Sequence, residues 1–363
     1  MLKRFVAMML LTLAAGCSAN QATPDAASGR GTDQVSEGGE KPAHHGDGVF
    51  RNLYLPDDYQ PSTLAFLQAR FFGDQNWPEA PQDHKAFWQA TDPQRLNPPP
   101  ALPQATLIGH STVLLQYQGV NILTDPMFSD RASPVGFAGP KRYTQPSLAL
   151  TDLPDIDVVV ISHNHYDHLD AATVNALGDQ VLWLVPLGLK SWFAQFNVDK
   201  VIELDWWQSH TVKGVEVQAL PSQHWSKRTL FDTNKSLWAS WGFKWSDFTA
   251  WFGGDTGYNP VQFKEIGEAL GQVDLAMIPI GAYEPRWFMK YHHVNPADAV
   301  EIFRDINARS AFGIHWNTFV LTAENIDEPP QALADALRLQ QINPQRFQAI
   351  NIGATWQPAS SLQ

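Results

Sequence analysis

One stretch constrains this chain more than any other: IDVVVISHNHYDHLD, residues 156–170. Residues 156–161 form a short apolar, β-branched run, the pattern of a buried strand. Directly after it, His163, His165, Asp167 and His168 fall within six positions. Titratable groups crowded onto the end of a buried strand are costly unless something pairs with them. Imidazole and carboxylate are the ligands that zinc takes when no thiolate is offered, and the only cysteine, Cys17, lies far away near the N-terminus. The fold must therefore bring a strand end, a turn and a group of metal ligands to one place.

In an extended segment His163, His165 and Asp167 project to one side, because side chains repeat every two residues. A turn after Tyr166 then aims Asp167 and His168 elsewhere, so one strand end offers ligands to two metals about 3.5–4 Å apart, the spacing of two-metal hydrolases. Three further candidates stand at or beyond predicted strand ends: His224 in ALPSQHW, Asp255 in WFGGDTGY and His315 in FGIHWNTF. Singly each is weak, since a histidine beside a tryptophan is often only packed. Together with the first four they make a full ligand set.

Around this motif, β-rich stretches alternate with single helices. Residues 105–126 carry two or three short strands with a turn at Gln118-Gly119. Strands are predicted at 181–186, 215–222, 237–245 and 248–256, and helices at 171–177, 189–196 and 296–307. A helix over 331–340 and a last strand, RFQAINI, close the chain. Two halves of similar β–α content, without a linker between them, predict an α/β fold of two face-to-face sheets with helices outside, an αβ/βα sandwich over residues 105–363. Residues 49–104, richer in proline and aromatics, are expected to form an N-terminal extension wrapped on that domain.

The N-terminus differs in kind. Residues 1–16 combine Lys3 and Arg4 with an apolar stretch too short to span a bilayer, then small residues before Cys17, which is the build of a cleaved signal. Ala14-Ala15-Gly16-Cys17 resembles the lipobox of bacterial lipoproteins, which implies lipidation at Cys17 and a cell-envelope location. Ser18, in place of a retaining Asp, points to the outer membrane, facing the periplasm. Residues 17–48 are small, polar and glycine-rich and read as a flexible tether, with His44 and His45 as solvated loop histidines. The formal charge of −12 argues against a nucleic-acid partner, because phosphate binding needs a basic face.

The string HNHYDH is similar to the HxHxDH motif of the metallo-β-lactamase superfamily. The blocks ILTDPMFSDRASPVGFAGPKR, LPSQHWSKRT, FGGDTGY, LAMIPIGAYEPRWFMKYHHVNPADAV and IHWNTF resemble the N-acyl-phosphatidylethanolamine-hydrolysing phospholipase D family. That resemblance implies two Zn2+ per chain: one on His163, His165 and His224, the other on Asp167, His168 and His315, with Asp255 bridging. It implies a bridging hydroxide that attacks a phosphodiester, with Asp167 orienting it. His293 would position the phosphate or protonate the leaving alcohol, a task that suits a pKa near neutral. Arg286 is expected either to meet an anionic head group or to pair with Glu284. The implied partner is a membrane phospholipid, reached through the lipid anchor, and a homodimer is possible. A hydrolase of the same fold acting on a lactone or another phosphodiester, and a metal-binding lipoprotein without turnover, are the competing readings.

Overall fold

The computed structural model describes residues 41–55, 77–82, 84–97 and 100–358. The signal segment, Cys17 and the tether up to residue 40 lie outside the described residues. The folded unit begins at Pro42.

The first sheet starts with an antiparallel meander, β1 (Gln104–Gly109), β2 (Thr112–Tyr117) and β3 (Val120–Thr124), then continues in parallel through β4 (Val158–Val160), β5 (Leu182–Pro186) and β6 (Val201–Leu204). The second repeats the plan. Its antiparallel part is β7 (Ser209–Val212), β8 (Val215–Leu220), β9 (Ser240–Lys244) and β10 (Thr249–Phe252), and its parallel part adds β11 (Val273–Pro279), β12 (Ala308–Ile314) and β13 (Phe347–Gln348). A short β14 (Thr355–Trp356) returns to the first sheet beside β1, so among the described residues each sheet has seven strands. The edge strands β6 and β7 are not legible in the sequence, and RFQAINI forms only the two-residue β13 before turning irregular.

Period-two alternation explains the layers. Val113, Leu115, Val158 and Val160 point into the core between the sheets, where they meet Val217, Phe243, Phe252, Met277 and Phe312. Their neighbours Leu114 and Val159 point the other way, against Val174 of α1 (Ala171–Leu177) and Phe193 of α2 (Lys190–Phe193). On the far side, Trp251 and Ala276 pack against α3 (Gln262–Leu270) and, beyond the short α4 (Arg286–Met289), against α5 (Pro296–Asp305) and α6 (Glu328–Leu339). Strands covered on both faces have no polar side to show, which is why they appear in sequence as unbroken apolar runs. The result is the αβ/βα sandwich.

Local chemistry fixes the helix starts. Asn295 caps α5: its side chain accepts from Asp298 N, and the Asp298 carboxylate answers to Asn295 N, a reciprocal box worth on the order of 1 kcal/mol. Asp170 caps α1 and also receives Ser129 N and Ser129 Oγ, so the loop after β3 is tied to the helix after the histidine motif.

Residues 42–48 are not a free tether. His44 is buried, and both His44 and His45 bond Asp205 at the end of β6. The apolar Phe50 and the aromatic ring of Trp206 give this segment a surface to pack on, which the polar composition of the preceding residues conceals.

Candidate metal centre

Loops at one end of both sheets carry the centre. The histidine motif follows β4, His224 follows β8, Asp255 follows β10, and His315 follows β12. Two buried tryptophans, Trp241 of β9 and Trp238 just before it, fix these ends: Trp241 Nε1 donates to Ile161 O at 3.0 Å, and Trp238 Nε1 donates to Ser222 O at 2.9 Å. Gly254 has a positive φ of 56°, and a Cβ there would stand 2.6 Å from that of Ser162, so only glycine lets the Asp255 loop approach the motif. His315 itself sits at φ 60°, a conformation that costs about 1–3 kcal/mol for a non-glycine residue and is held by His315 N donating to His110 O at 3.0 Å.

The extended alternation predicted through the motif stops early. His168 N and Leu169 N both return to His165 O, so the chain turns from His165 onward. After the turn the side chains fall into two groups. On one side His163 Nε2, His165 Nδ1 and His224 Nε2 converge, at 2.8 Å and 3.2 Å from the central His165 atom. On the other, Asp167 Oδ2 lies 3.5 Å from His168 Nε2 and 3.3 Å from His315 Nε2. Asp255 stands between the groups. Its Oδ2 is 3.1 Å from His168 Nε2 and 3.8 Å from both His163 Nε2 and His224 Nε2, while its Oδ1 is 3.1 Å from His315 Nε2. His293 Nε2 reaches within 3.9 Å of Asp255 Oδ2.

The donor set fits cations. Nε2 of His168, Nε2 of His315 and Oδ1 of Asp255 are buried and aimed at one another without a well-formed hydrogen bond among the described residues. Buried polar atoms left so are rare unless an ion takes them. Electrostatics point the same way. Burial alone would lower His168 and His315, yet the carboxylates of Asp255 and Asp167 lift His168 well above its ordinary value and His315 to about 9. Burial likewise would raise Asp255 and Asp167, but the surrounding imidazoles, His168 first, hold both carboxylates well below theirs. This half of the centre demands positive charge. Burial and neighbouring imidazoles instead hold His163 and His165 well below the usual range, and burial brings His224 to about 4, so these three are neutral and free to donate lone pairs.

Two residues of the centre escape the sequence reading. Asp125, directly after β3, receives Ser162 N and Ser162 Oγ and lies 2.7 Å from His168 Nδ1, which orients Nε2 of that ring to the centre. His110, in the turn between β1 and β2 at φ 51°, puts Nε2 3.1 Å from Asp167 Oδ2. The signal for each is the one that exposes the other candidates, a polar residue ending an apolar strand. His224 is oriented from behind by the His292 carbonyl, 2.9 Å from its Nδ1.

Arg286 does not pair with Glu284. Its guanidinium donates to Asp298 Oδ2 at 2.6 Å and to the His293 carbonyl at 2.8 Å, while the Glu284 carboxylate accepts Arg286 N. Asp298 at the start of α5 is nearer in space because the chain folds back after α4. The pKa of His293 does not lie near neutral pH: burial pushes it well below its ordinary value, so the ring is uncharged. No helix among the described residues is long and apolar enough to cross a membrane.

Comparison with known proteins agrees with this construction. The β-lactamase superfamily domain model matches residues 120–316. N-acyl-phosphatidylethanolamine-hydrolyzing phospholipase D 1 of Caenorhabditis elegans is 45% identical over 267 residues, covering 70% of this chain and 75% of that protein. The mitochondrial N-acyl-phosphatidylethanolamine-hydrolyzing phospholipase D of Saccharomyces cerevisiae is 41% identical over 236 residues, covering 63% of this chain and 50% of that protein. Among solved structures, a possible metal-dependent hydrolase from Veillonella parvula superposes with a TM-score of 0.59 at 17% identity, covering 71% of this chain and all of that one. With its paired sheets and its His/Asp centre at their common end, the chain belongs to the metallo-β-lactamase superfamily, among the homologues of the N-acyl-phosphatidylethanolamine-hydrolysing phospholipases D.

Proposed function

We propose that the chain is a dinuclear zinc phosphodiesterase that hydrolyses N-acyl-phosphatidylethanolamine to an N-acylethanolamine and phosphatidic acid. The observation that carries this reading is the convergence of His163, His165 and His224 on one side of Asp255, and of Asp167, His168 and His315 on the other. His163, His165, His224 and Asp255 would hold one zinc, and Asp167, His168, His315 and Asp255 the second. Two bound zinc ions would acidify a water between them and neutralise charge on the phosphoryl oxygens.

The protein's own groups supply the rest. Asp167 is held ionised and kept in place by His110, so its carboxylate accepts a hydrogen bond from the attacking water and orients it. His293 is neutral, and its Nε2 lies at the edge of the centre. It serves as a hydrogen-bond donor that positions the phosphate rather than as a charged acid. Arg286, locked to Asp298, holds His293 through its carbonyl, so it acts as a positioning residue. The water oxygen bonds to phosphorus, the bond to the N-acylethanolamine oxygen breaks, and the proton that the water gives up goes to that leaving oxygen.

Lipid access is supported by exposed apolar side chains on the loops after β3 and β8 and on α4. Phe137, Leu230, Phe231 and Trp287 are exposed. Beside the motif, a cleft of about 410 Å³ is lined by Asn164, Tyr166, Trp192 and Arg228, with the Arg228 guanidinium stacked on both rings. A lipidated Cys17 would hold the enzyme on the envelope membrane, at the outer membrane and facing the periplasm. The buried CH₂ groups of such an anchor would supply the hold on the bilayer. Purified protein is to be mixed with vesicles containing N-acyl-phosphatidylethanolamine, alongside a lactone and a simple phosphodiester. Release of phosphatidic acid and N-acylethanolamine is expected. No phosphatidic acid above a metal-stripped control, or a much higher kcat/KM on the lactone, overturns the reading.

A further inference from the structure

A second cluster of ligating side chains lies outside the centre. His44 Nε2 is 2.6 Å from Asp205 Oδ1, and His45 Nε2 is 2.8 Å from Asp205 Oδ2. One donor atom from each of the three residues lies within 4.8 Å of the others. We propose that His44, His45 and Asp205 form a further divalent-metal site, suited to zinc, that clamps the chain's N-terminal segment onto the edge of the first sheet.

The donor chemistry selects the ligand class. Two imidazoles and one carboxylate, with no thiolate, are a three-protein-ligand set for a borderline divalent ion, which leaves the fourth position to water. Such a position is accessible here. The His44 side chain is only 8% exposed and that of Asp205 12%, but His45 is 22% exposed and opens the site to solvent. The ligands are set in place by their surroundings. The His44 ring is stacked on Trp206 with centroids 4.3 Å apart, and the His45 ring packs edge-on to Phe50. Asp205 Oδ1 also accepts Trp206 N at 2.8 Å, and Gln208 Oε1 accepts Asp205 N at 2.9 Å, which fixes the carboxylate from behind. The two imidazole nitrogens meet opposite oxygens of one carboxylate, so the donors of all three residues already converge on one place.

The cluster joins segments 160 residues apart in sequence, and its consequence reaches further. Between the histidines and Arg51 the chain makes a tight turn, closed by Gly46 N on Val49 O and by Arg51 N on His44 O. Phe50 N then donates to Asn234 O, and Asn52 Nδ2 donates to the backbone carbonyl of His224 at 2.8 Å. An ion at the clamp would hold one end of a strap whose other end touches a residue of the main centre.

The test is metal stoichiometry on the full-length protein, chelator-stripped, reloaded with Zn2+ and freed of excess by gel filtration. His45→Gln keeps an amide donor for Asp205 but removes the imidazole, and Asp205→Asn removes the charge. The wild type is expected to carry one zinc more than either variant, whatever number the main centre holds. Reloading with Co2+ should show the corresponding loss of visible absorption. Equal zinc in all three proteins overturns the proposal and leaves a hydrogen-bonded clamp only. Should a variant fold poorly, the wild type alone decides: histidine acylation mapped by peptide mass should show Zn2+ protecting His45, and acylation unchanged by Zn2+ sinks the site.

Discussion

On one side of Asp255 three neutral imidazoles face one another. On the other, two imidazoles stand among the carboxylates of Asp167, Asp255 and Asp125. The difference comes from the charges that each strand end places beside its histidines. His163, His165 and His224 have few carboxylates nearby, so burial dominates and keeps them below their ordinary values. His168 and His315 are as deeply buried, yet the carboxylates outweigh burial and lift them. His163 and His224 on one side and His168 and His315 on the other are equally buried with opposite shifts, so local charge, not depth, decides the protonation of this centre. The nitrogen pocket offers lone pairs and selects by ligand type; the carboxylate pocket offers negative charge and accepts harder cations.

Removing the shared group breaks the comparison outright. Asp255→Asn takes charge from both pockets at once. A loss of turnover beyond about 1000-fold is expected, larger than the roughly 10- to 100-fold typical of a group that only orients a ligand. Metal content should fall in both pockets while the far-ultraviolet circular dichroism is unchanged. Near-normal phosphatidic acid release in this variant would remove Asp255 from the centre.

A smaller change should touch one pocket alone. In Asp125→Asn the His168 ring loses its anionic anchor but keeps an oxygen acceptor. A fall of about 10- to 100-fold in activity, and in affinity for the metal of the carboxylate pocket, is expected. Equilibrium dialysis should show one class of site weakened and the other intact; equal weakening of both would mean that the pockets are not separable. Reloading the stripped protein with one equivalent each of Zn2+ and Mn2+ sharpens the same point. Zinc should take the nitrogen pocket and manganese the carboxylate pocket, read by a Mn2+ resonance signal that persists in His165→Ala and is lost in His315→Ala. A Mn2+ signal lost in His165→Ala and kept in His315→Ala would reverse the assignment.

The same physics decides which parts of the centre are legible in the sequence. Strands covered on both faces are apolar there, so β4, β5, β10 and the inner parts of β11 and β12 stand out as apolar runs, and the polar residues at their ends are conspicuous. His163, His168, Asp255 and His315 are found for that reason. Edge strands gain less from burial: β7, Ser209–Val212, is polar and partly exposed and shows no such run. Asp125 escapes notice because its partner is a histidine distant in sequence, and only pairing across β3 and β4 brings the two together. His44 and His45 read as solvated because composition describes the segment that precedes them, whereas their fate depends on Asp205. Sequence proximity misleads on the pairing of Arg286; Asp298 wins because α5 turns its first residues back toward α4.

The mildest test concerns acid and alkali in the metal-stripped protein, where the two pockets should fail in opposite directions. In the nitrogen pocket the folded values lie below the unfolded one of about 6.5. The unfolded chain therefore binds more protons as pH falls, and stability is lost below that value, continuing toward about 4 where His224 titrates. In the carboxylate pocket the sign reverses. His168 and His315 are raised, so their contribution is fully present below about pH 6.5 and is lost as pH rises, for His315 through about 9. Thermal unfolding of the stripped protein should therefore peak near neutral pH and decline on both sides by several degrees, at about 2–4 °C per kcal/mol for a domain of this class. His315→Gln should flatten the alkaline limb and leave the acid limb, and His224→Gln should do the converse. If both substitutions alter the same limb, charge does not separate the pockets, and the contrast drawn across Asp255 fails.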